Sequence, residues 1–423
     1  MKRSHPRLGW SYLLPLGMVL ILLSGFSLTD WRLTTGTGNQ AGVDFVSVAV
    51  AAELVNQGGG SLYDLAAQRT EQLELSGDPT DAPRPFSNPP FVAQLARTLI
   101  SGGLEAGFLR LVLINLAAVV ALAVIVVRVT PALSAGRRVL LVMGLSASAS
   151  VGTALAEGAI TLIACLGLAL LLLGDHEDRP WLQAVGLALA SVKPHLVVVP
   201  LVVILAARRG AVVARLAGLG AVVMTWSVAT VGVRPWLAYP AALIEAGGSA
   251  APERRFALRW WNLATTLRVL LGPGGEAVVT VSGWVVLLAD VAGLAVLAAR
   301  TATTGQRCSA PPLAVAAVFG ILVLPHANSH DLAWVPLAFA LCWAHPNWPA
   351  RPPWQRQVLL GTAVLWTPAT WVALATATRG GSVAPVVLLV VFGAVAGRTP
   401  AAPPALGAAG PAQHPGEVGV TLR

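Results

Sequence analysis

Apolar residues gather in blocks along this chain, and short polar or basic segments separate them. A helix crosses a bilayer's hydrocarbon core with about 20 apolar residues. Such runs, several of them short, fall near 10–29, 104–128, 138–156, 158–174, 180–192, 194–208, 211–231, 277–299, 311–325, 331–345, 356–375 and 383–398. The pattern predicts an all-α polytopic membrane protein with about 11–13 transmembrane helices. The segment 89–103, "PPFVAQLARTLISGG", is apolar enough to compete for a place in the membrane. If it crossed, the basic stretch Arg128–Arg138 would fall on the outer side. It is therefore read as interfacial or re-entrant, which protein or water must cover.

Between the runs, polar loops of two kinds appear. Arg128, Arg137, Arg138, Arg208, Arg209, Arg215, Arg300 and Arg356 alternate with short turns that hold only Lys193 and Arg379. Lys and Arg stay on the cytoplasmic side, so this asymmetry predicts a multi-pass cell-membrane protein with both termini in the cytoplasm. Two long loops then fall outside, 30–103 and 232–276. The first is rich in acids, and the second is basic and aromatic. Residues 1–398 read as a single transmembrane domain, and the Ala-, Pro- and Gly-rich 399–423 as a disordered cytoplasmic tail.

Composition agrees with this class. Of 423 residues, 56% are hydrophobic and 11% charged, with a mean hydropathy of +0.72, where a soluble domain is about a quarter charged. The formal charge of +9 could suggest nucleic acid, but the positives lie between apolar runs and set orientation instead. No nucleic-acid partner is expected. The three cysteines are far apart and form no metal or disulfide pattern. The first apolar run lacks a convincing cleavage site and reads as a retained span.

Polar groups near membrane depth are costly, roughly 2.5–3.5 kcal/mol for a central charge on insertion scales, so their positions carry information. Lys193 and His195 flank Pro194 in "ASVKPHLVVVP" at an outside turn. Pro194 breaks the helix there, leaving a cation and an imidazole facing the outer leaflet or a cavity. Lys193 either snorkels to the interface or meets a phosphate or lipid headgroup. "LPHANSHDLAW", 324–334, puts His326, His330 and Asp331 in one outside turn. That turn is open to three readings: a hydrogen-bonding pocket for phosphate or sugar, a metal site, or helix capping.

In the second outer loop, Arg254, Arg255, Arg259 and Arg268 accompany Trp260, Trp261 and Asn262. Guanidinium forks suit phosphate, and aromatic faces suit sugar rings or the membrane interface. Glu157-Gly158 reads as the outer start of the 158–174 run, where a carboxylate near a helix N-terminus is favoured. Asp290 reads as a packed, bundle-facing acid. "DHEDR", Asp175 to Arg179, reads as a solvated inner loop. The phosphate loop, the Rossmann glycine fingerprint and the Gly-x-Ser-x-Gly elbow are all missing from the sequence.

The first outer loop opens with an acid and a short apolar segment, "GVDFVSVAVAAELVNQGGGSLYD", 42–64. Phe45, Val48, Ala52 and Val55 recur at helical spacing. One stripe could thus lie along the membrane surface and fix Asp44. Gly58-Gly59-Gly60 ends that helix, and Leu62-Tyr63 anchors the return of the chain to the membrane.

This order of outer features resembles glycosyltransferase family 87, polyprenyl-phosphate-mannose-dependent mannosyltransferases of the GT-C superfamily. Asp44-Phe45 and Gly59-Gly60-Ser61-Leu62-Tyr63-Asp64 resemble its acid-aromatic helix and Gly-x-x-Leu-Tyr-Asp motif. Pro89-Pro90-Phe91 resembles its Pro-Pro segment, and Lys193-Pro194 its Lys-Pro. Asn262 through Arg268 and His326 to Asp331 resemble its later polar elements. The likeness runs in order over 10–345. It departs at Glu157-Gly158, where a Gly-Gln pair is common, and at Thr265-Thr266.

The resemblance implies a GT-C-like bundle with extracytoplasmic loop helices. It implies an inverting transferase that moves a hexose, mannose first among the candidates, from a polyprenyl-phosphate donor to a lipid or glycan acceptor on the extracytoplasmic side. It further implies that Asp44 is the catalytic base. Lys193, His195, Asn262, Arg268, His326, His330, Tyr63, Arg255 and Trp261 would bind substrate, with no metal and no cofactor. Rival readings are a polytopic transporter and a transferase of another sugar such as arabinose. The sequence shows no compelling internal repeat, which mildly disfavours inverted-repeat transporters.

Overall fold

The computed structural model describes residues 42–76, 85–131, 133–146 and 148–247, with single positions between 278 and 333. Among these residues helix is the only regular structure, and the all-α polytopic expectation holds. Three helices come from the segment 30–103 expected to form an outer loop: α1 (Val43–Asn56), α2 (Leu65–Ser76) and α3 (Pro90–Ile100). There follow α4 (Leu104–Val129), α5 (Ala135–Ser146), α6 (Ala149–Glu157), α7 (Thr161–Glu177), α8 (Pro180–Ala190), α9 (Val198–Ala206), α10 (Gly210–Val231) and α11 (Arg234–Gly247).

Three stretches are long and apolar enough to cross a bilayer: Leu104–Val129, Ala135–Glu157 and Gly210–Val231. At 1.5 Å per residue, α4 is about 39 Å long. Its buried stripe runs Phe108, Leu111, Val112, Asn115, Val119, Leu122 and Val126, the spacing of one helical face. Leu109, Leu113 and Ile114 stay exposed, as apolar residues do where lipid is the solvent. α10 buries little beyond Val212, Ser227 and Val231 and exposes Val222, Met224 and Trp226.

Several boundaries differ from the sequence expectation. The 138–156 run is two helices, because Ser148 caps α6 by accepting from the Val151 amide. The 194–208 run begins with a 3-10 turn, Pro194–Leu196, before α9. Segment 89–103 contains a helix of 11 residues, α3, too short to span a bilayer by itself. Within 277–299 the isolated described positions are helical. The expected spans 10–29, 311–325, 356–375 and 383–398 and the tail lie outside the described residues. So does 331–345, apart from Asp331 and Ala333.

Sequence spacing suggested a surface stripe on α1, yet the helix is buried on nearly all sides. Phe45, Val46, Val48, Ala49, Val50, Ala51, Ala52, Leu54 and Val55 are all in the core. Its run of alanines and valines is narrow enough to sit among α2, α3, α4 and α6. The expected glycine break is present: Gly58 and Gly59 adopt φ of 108° and 72°, and Gly59 lies against the Val231 carbonyl with no room for a side chain.

Among the described helices, α7 and α8 form the tightest pairing. A Cβ on Gly167 would come within 2.5 Å of the Gly186 carbonyl oxygen, and one on Gly186 within 2.5 Å of the Gly167 oxygen. Small residues at such a crossing let membrane helices approach backbone to backbone. At the far end of this hairpin, Asp175 is buried and accepts from Arg209, which also donates to Gln183 at 3.2 Å. Asp175 is thus not the solvated loop acid the sequence suggested. It sits in the last turn of α7 and faces the α9–α10 connection.

Candidate active site

Asp44 lies in the first turn of α1, half-buried, where the helix dipole favours a carboxylate. Two features fix that turn. Gly42, in the left-handed conformation with φ 71°, donates its amide to the Ala156 carbonyl at 2.8 Å, tying the start of α1 to the end of α6. Phe45 sits edge-on to Phe108 at 5.8 Å between ring centres. Gly107 and Gly158 make room for it, since a Cβ on either would lie 2.8 or 2.7 Å from Phe45. The Asp-Phe pair therefore works as acid and anchor.

Gly158 also corrects the reading of Glu157. It is the left-handed C-cap of α6, φ 65°, so Glu157 ends a helix and does not begin one. The chain then turns through Ala159, whose carbonyl accepts from Asn115 Nδ2 at 2.9 Å. Thr161 starts α7 and donates through Oγ1 to Asp331 Oδ1 at 3.1 Å. Thus 156–161 meets α1 at one end and Asp331 at the other.

Asp331 is fully buried and anchors a second polar group. Lys193 Nζ donates to the same Oδ1 at 2.8 Å, while His195 Nε2 stands 3.7 Å from Oδ2. Lys193 closes the end of α8, and Pro194 starts the 3-10 turn that carries His195. Pro194 thus breaks the helix as the sequence indicated. The ammonium, however, points into a buried ion pair and does not snorkel. Cys165, one helical turn beyond Thr161, is buried close enough to feel both charges.

Tyr63 is placed by packing. Its hydroxyl donates to the Asn88 carbonyl at 2.6 Å, and its ring lies between Phe86 and Tyr239, with centres 6.1 and 5.5 Å away. Trp236 meets Tyr239 edge-on and donates to Ser227 Oγ at 3.1 Å. This aromatic group ties the Gly-Gly-Ser-Leu-Tyr-Asp turn to α11. Burial raises the Tyr63 hydroxyl pKa well above its ordinary value, with a further push from Tyr239, and burial raises that of Tyr239 as well. A polar groove of about 790 Å³ opens beside α1 and α3, lined by Glu53, Asn56, Gln94, Arg97, Thr98 and Ser101. Arg97 Nε donates to Asn56 at 2.6 Å there, and Asn56 to Glu53 at 3.0 Å.

Of the site residues singled out in the sequence, Asp44, Tyr63, Lys193, His195 and Asp331 are described, and Lys193 and His195 come together on Asp331. Asn262, Arg268, Arg255, Trp261, His326, His330 and Asp290 lie outside the described residues. Asn115 and Thr161 were missed. Asn115 carried a signal, a lone amide within an apolar run, whereas Thr161 is unremarkable in sequence.

These features define an all-helical membrane protein with a fixed half-buried acid and a buried Lys-Asp pair that a partly exposed His195 faces, beside broken helices. A family model, glycosyltransferase family 87, matches residues 86–325. That is more than half of the chain, which belongs to this family and is a membrane glycosyltransferase. The matched segment contains Lys193 and His195; Asp44 precedes it and Asp331 follows it. No curated protein and no solved structure matches the chain.

Proposed function

We propose that this glycosyltransferase moves a hexose, mannose first, from a polyprenyl-phosphate donor to a lipid or glycan acceptor on the extracytoplasmic face, with inversion at the sugar carbon. The observation that carries the reading is the placement of Asp44, half-buried in a turn pinned by Gly42 and Phe45. A base must be held in position to take a proton during attack. Asp44 takes the proton of the acceptor hydroxyl, whose oxygen bonds to the anomeric carbon. The bond from that carbon to the phosphate oxygen breaks, and its electron pair leaves with the polyprenyl phosphate.

Charge that develops on the departing phosphate is stabilised by donors already in place. The Lys193–His195 turn supplies a donor of that kind in His195, and Arg255, Asn262, Arg268, Trp261, His326 and His330 are proposed to bind substrate, as their chemistry or the family resemblance suggests. A lipid-linked donor carries its own leaving group, so this reading needs no nucleotide-binding domain. The bundle is read as GT-C-like from the family resemblance alone.

The test is transfer of radiolabelled sugar from polyprenyl-phosphate-mannose to membrane lipids by wild type and Asp44→Ala. Loss of about 10²-fold or more is expected for the variant. Unchanged activity would remove Asp44 from the mechanism. Transfer only from a polyprenyl-phosphate pentose would replace mannose by a sugar such as arabinose.

A further inference from the structure

Asp331 is the most buried charged group among the described residues, with no solvent exposure. A buried carboxylate is tolerated where cations and donors meet it. Here Lys193 and Thr161 both donate to Oδ1, and Oδ2 faces His195 Nε2. That separation, 3.7 Å, is an ion-pair distance and too long for a hydrogen bond. Nε2 is itself buried, and among the described residues it has no hydrogen-bond partner. The rest of the imidazole is more open: the His195 side chain is 29% exposed, against 8% for Lys193. The group therefore runs from a locked interior, Lys193 and Asp331, to an accessible imidazole.

We infer that Asp331 is a positioning residue that acts through His195, with Lys193 as its buried counter-ion. A carboxylate behind an imidazole fixes the ring and its tautomer, and it stabilises the imidazolium without taking the proton. Catalytic hydrogen bonds in ligand-free sites are often long and tighten once substrate is bound, so the 3.7 Å contact closes when His195 meets an anion. The inference rests on the donor assigned above. As the sugar-phosphate bond breaks, the electron pair moves to a phosphate oxygen. The protonated His195 donates to that oxygen through Nδ1, while Asp331 remains a carboxylate at Nε2. Lys193 is the counter-ion of Asp331 and is not itself the group that reaches the phosphate.

The test is a set of kcat and KM measurements on the purified full-length protein with polyprenyl-phosphate-mannose. The variants are Asp331→Asn, His195→Gln, their double, and Lys193→Met/Asp331→Leu. Asp331→Asn and His195→Gln should each lower kcat by about 10²-fold, leaving acceptor KM unchanged. The double should be no worse than either alone, as for residues that act as one unit. Asp331→Asn removes the charge that offsets Lys193 and lowers the thermal midpoint. The variant Lys193→Met/Asp331→Leu removes both charges, so its midpoint should recover while kcat stays low. Recovery of kcat with the midpoint, or additive losses in the Asp331–His195 double, would overturn the inference and leave the donor assignment standing. A wild-type protein that consumes no polyprenyl-phosphate sugar would overturn the donor assignment and the inference together.

Discussion

The Tyr63 hydroxyl reaches across 25 residues of chain to the backbone carbonyl of Asn88, 2.6 Å away. This bond joins the turn after α1 to the segment leading into α3, the two walls between which Phe86 and Tyr63 stack. Tyr63→Phe keeps the stacked ring and leaves the carbonyl without its donor, which costs about 1–3 kcal/mol where the group stays dry. A lowered thermal midpoint is expected for Tyr63→Phe in detergent, and a larger drop for Tyr63→Ala. Equal midpoints for wild type and Tyr63→Phe would show that water replaces the hydroxyl.

The same tyrosines predict a pH dependence. Burial raises the Tyr63 and Tyr239 hydroxyl pKa values above the ordinary value of 10.0. In the unfolded chain both lose their protons as pH passes about 10, while the folded protein retains them. Above that pH the folded state binds more protons than the unfolded one, so stability falls as pH rises. Their contribution is complete below pH 10.0 and is lost toward the raised folded values. Tyr63→Phe/Tyr239→Phe should flatten this alkaline decline, measured as thermal midpoint against pH.

Gly158 meets two demands at once, a left-handed φ of 65° and a Phe45 side chain 2.7 Å from where its Cβ would stand. Gly158→Ala should cost about 1–2 kcal/mol in backbone strain, with overpacking against Phe45 and Phe108 adding about 1–3 kcal/mol. Because Phe45 is covalently next to Asp44, the variant should also lose transferase activity beyond its loss of folded protein. Activity per folded molecule, counted by size-exclusion recovery, separates the two effects. If it is unchanged, the anchor does not set the acid.

How far these features were legible in the sequence depends on their range. The glycine break after α1, the Pro194 turn and the long apolar faces of α4 and α10 are local patterns, and each appears where its residues indicated. The cap at Ser148 was hidden because it sits in an alternating Ser-Ala stretch inside an apolar run, so a two-helix stretch reads as one span. Burial of α1 was misread because a narrow Ala/Val helix carries the same stripe whether it lies on a surface or inside a bundle. The Lys193–Asp331 contact bridges 138 residues, and a single chain carries no signal for which distant acid a lysine will choose. Asp44 stood out as an acid after an apolar run, but the contacts that fix it, from Gly42, Gly107 and Gly158, became visible only in three dimensions.

Arg209 and Asp175 are a second case of long-range choice, and they yield a stability prediction free of catalytic assumptions. The Asp175 side chain is 7% exposed and the Arg209 side chain 23%, so the pair is mostly but not wholly dry. Removing one partner of a buried pair costs about 3–5 kcal/mol. Arg209→Ala should fall at or below the low end of that range, because water reaches the guanidinium. Gln183, which also accepts from Arg209, cannot replace the lost positive charge. Asp175→Ala/Arg209→Ala removes both charges and should be more stable than Arg209→Ala alone, a coupling that a double-mutant cycle measures directly. Additive losses would mean that Asp175 is solvated when Arg209 is absent. In that case the α7–α8 hairpin is held by its glycine crossing at Gly167 and Gly186, with no help from the charge pair at its end.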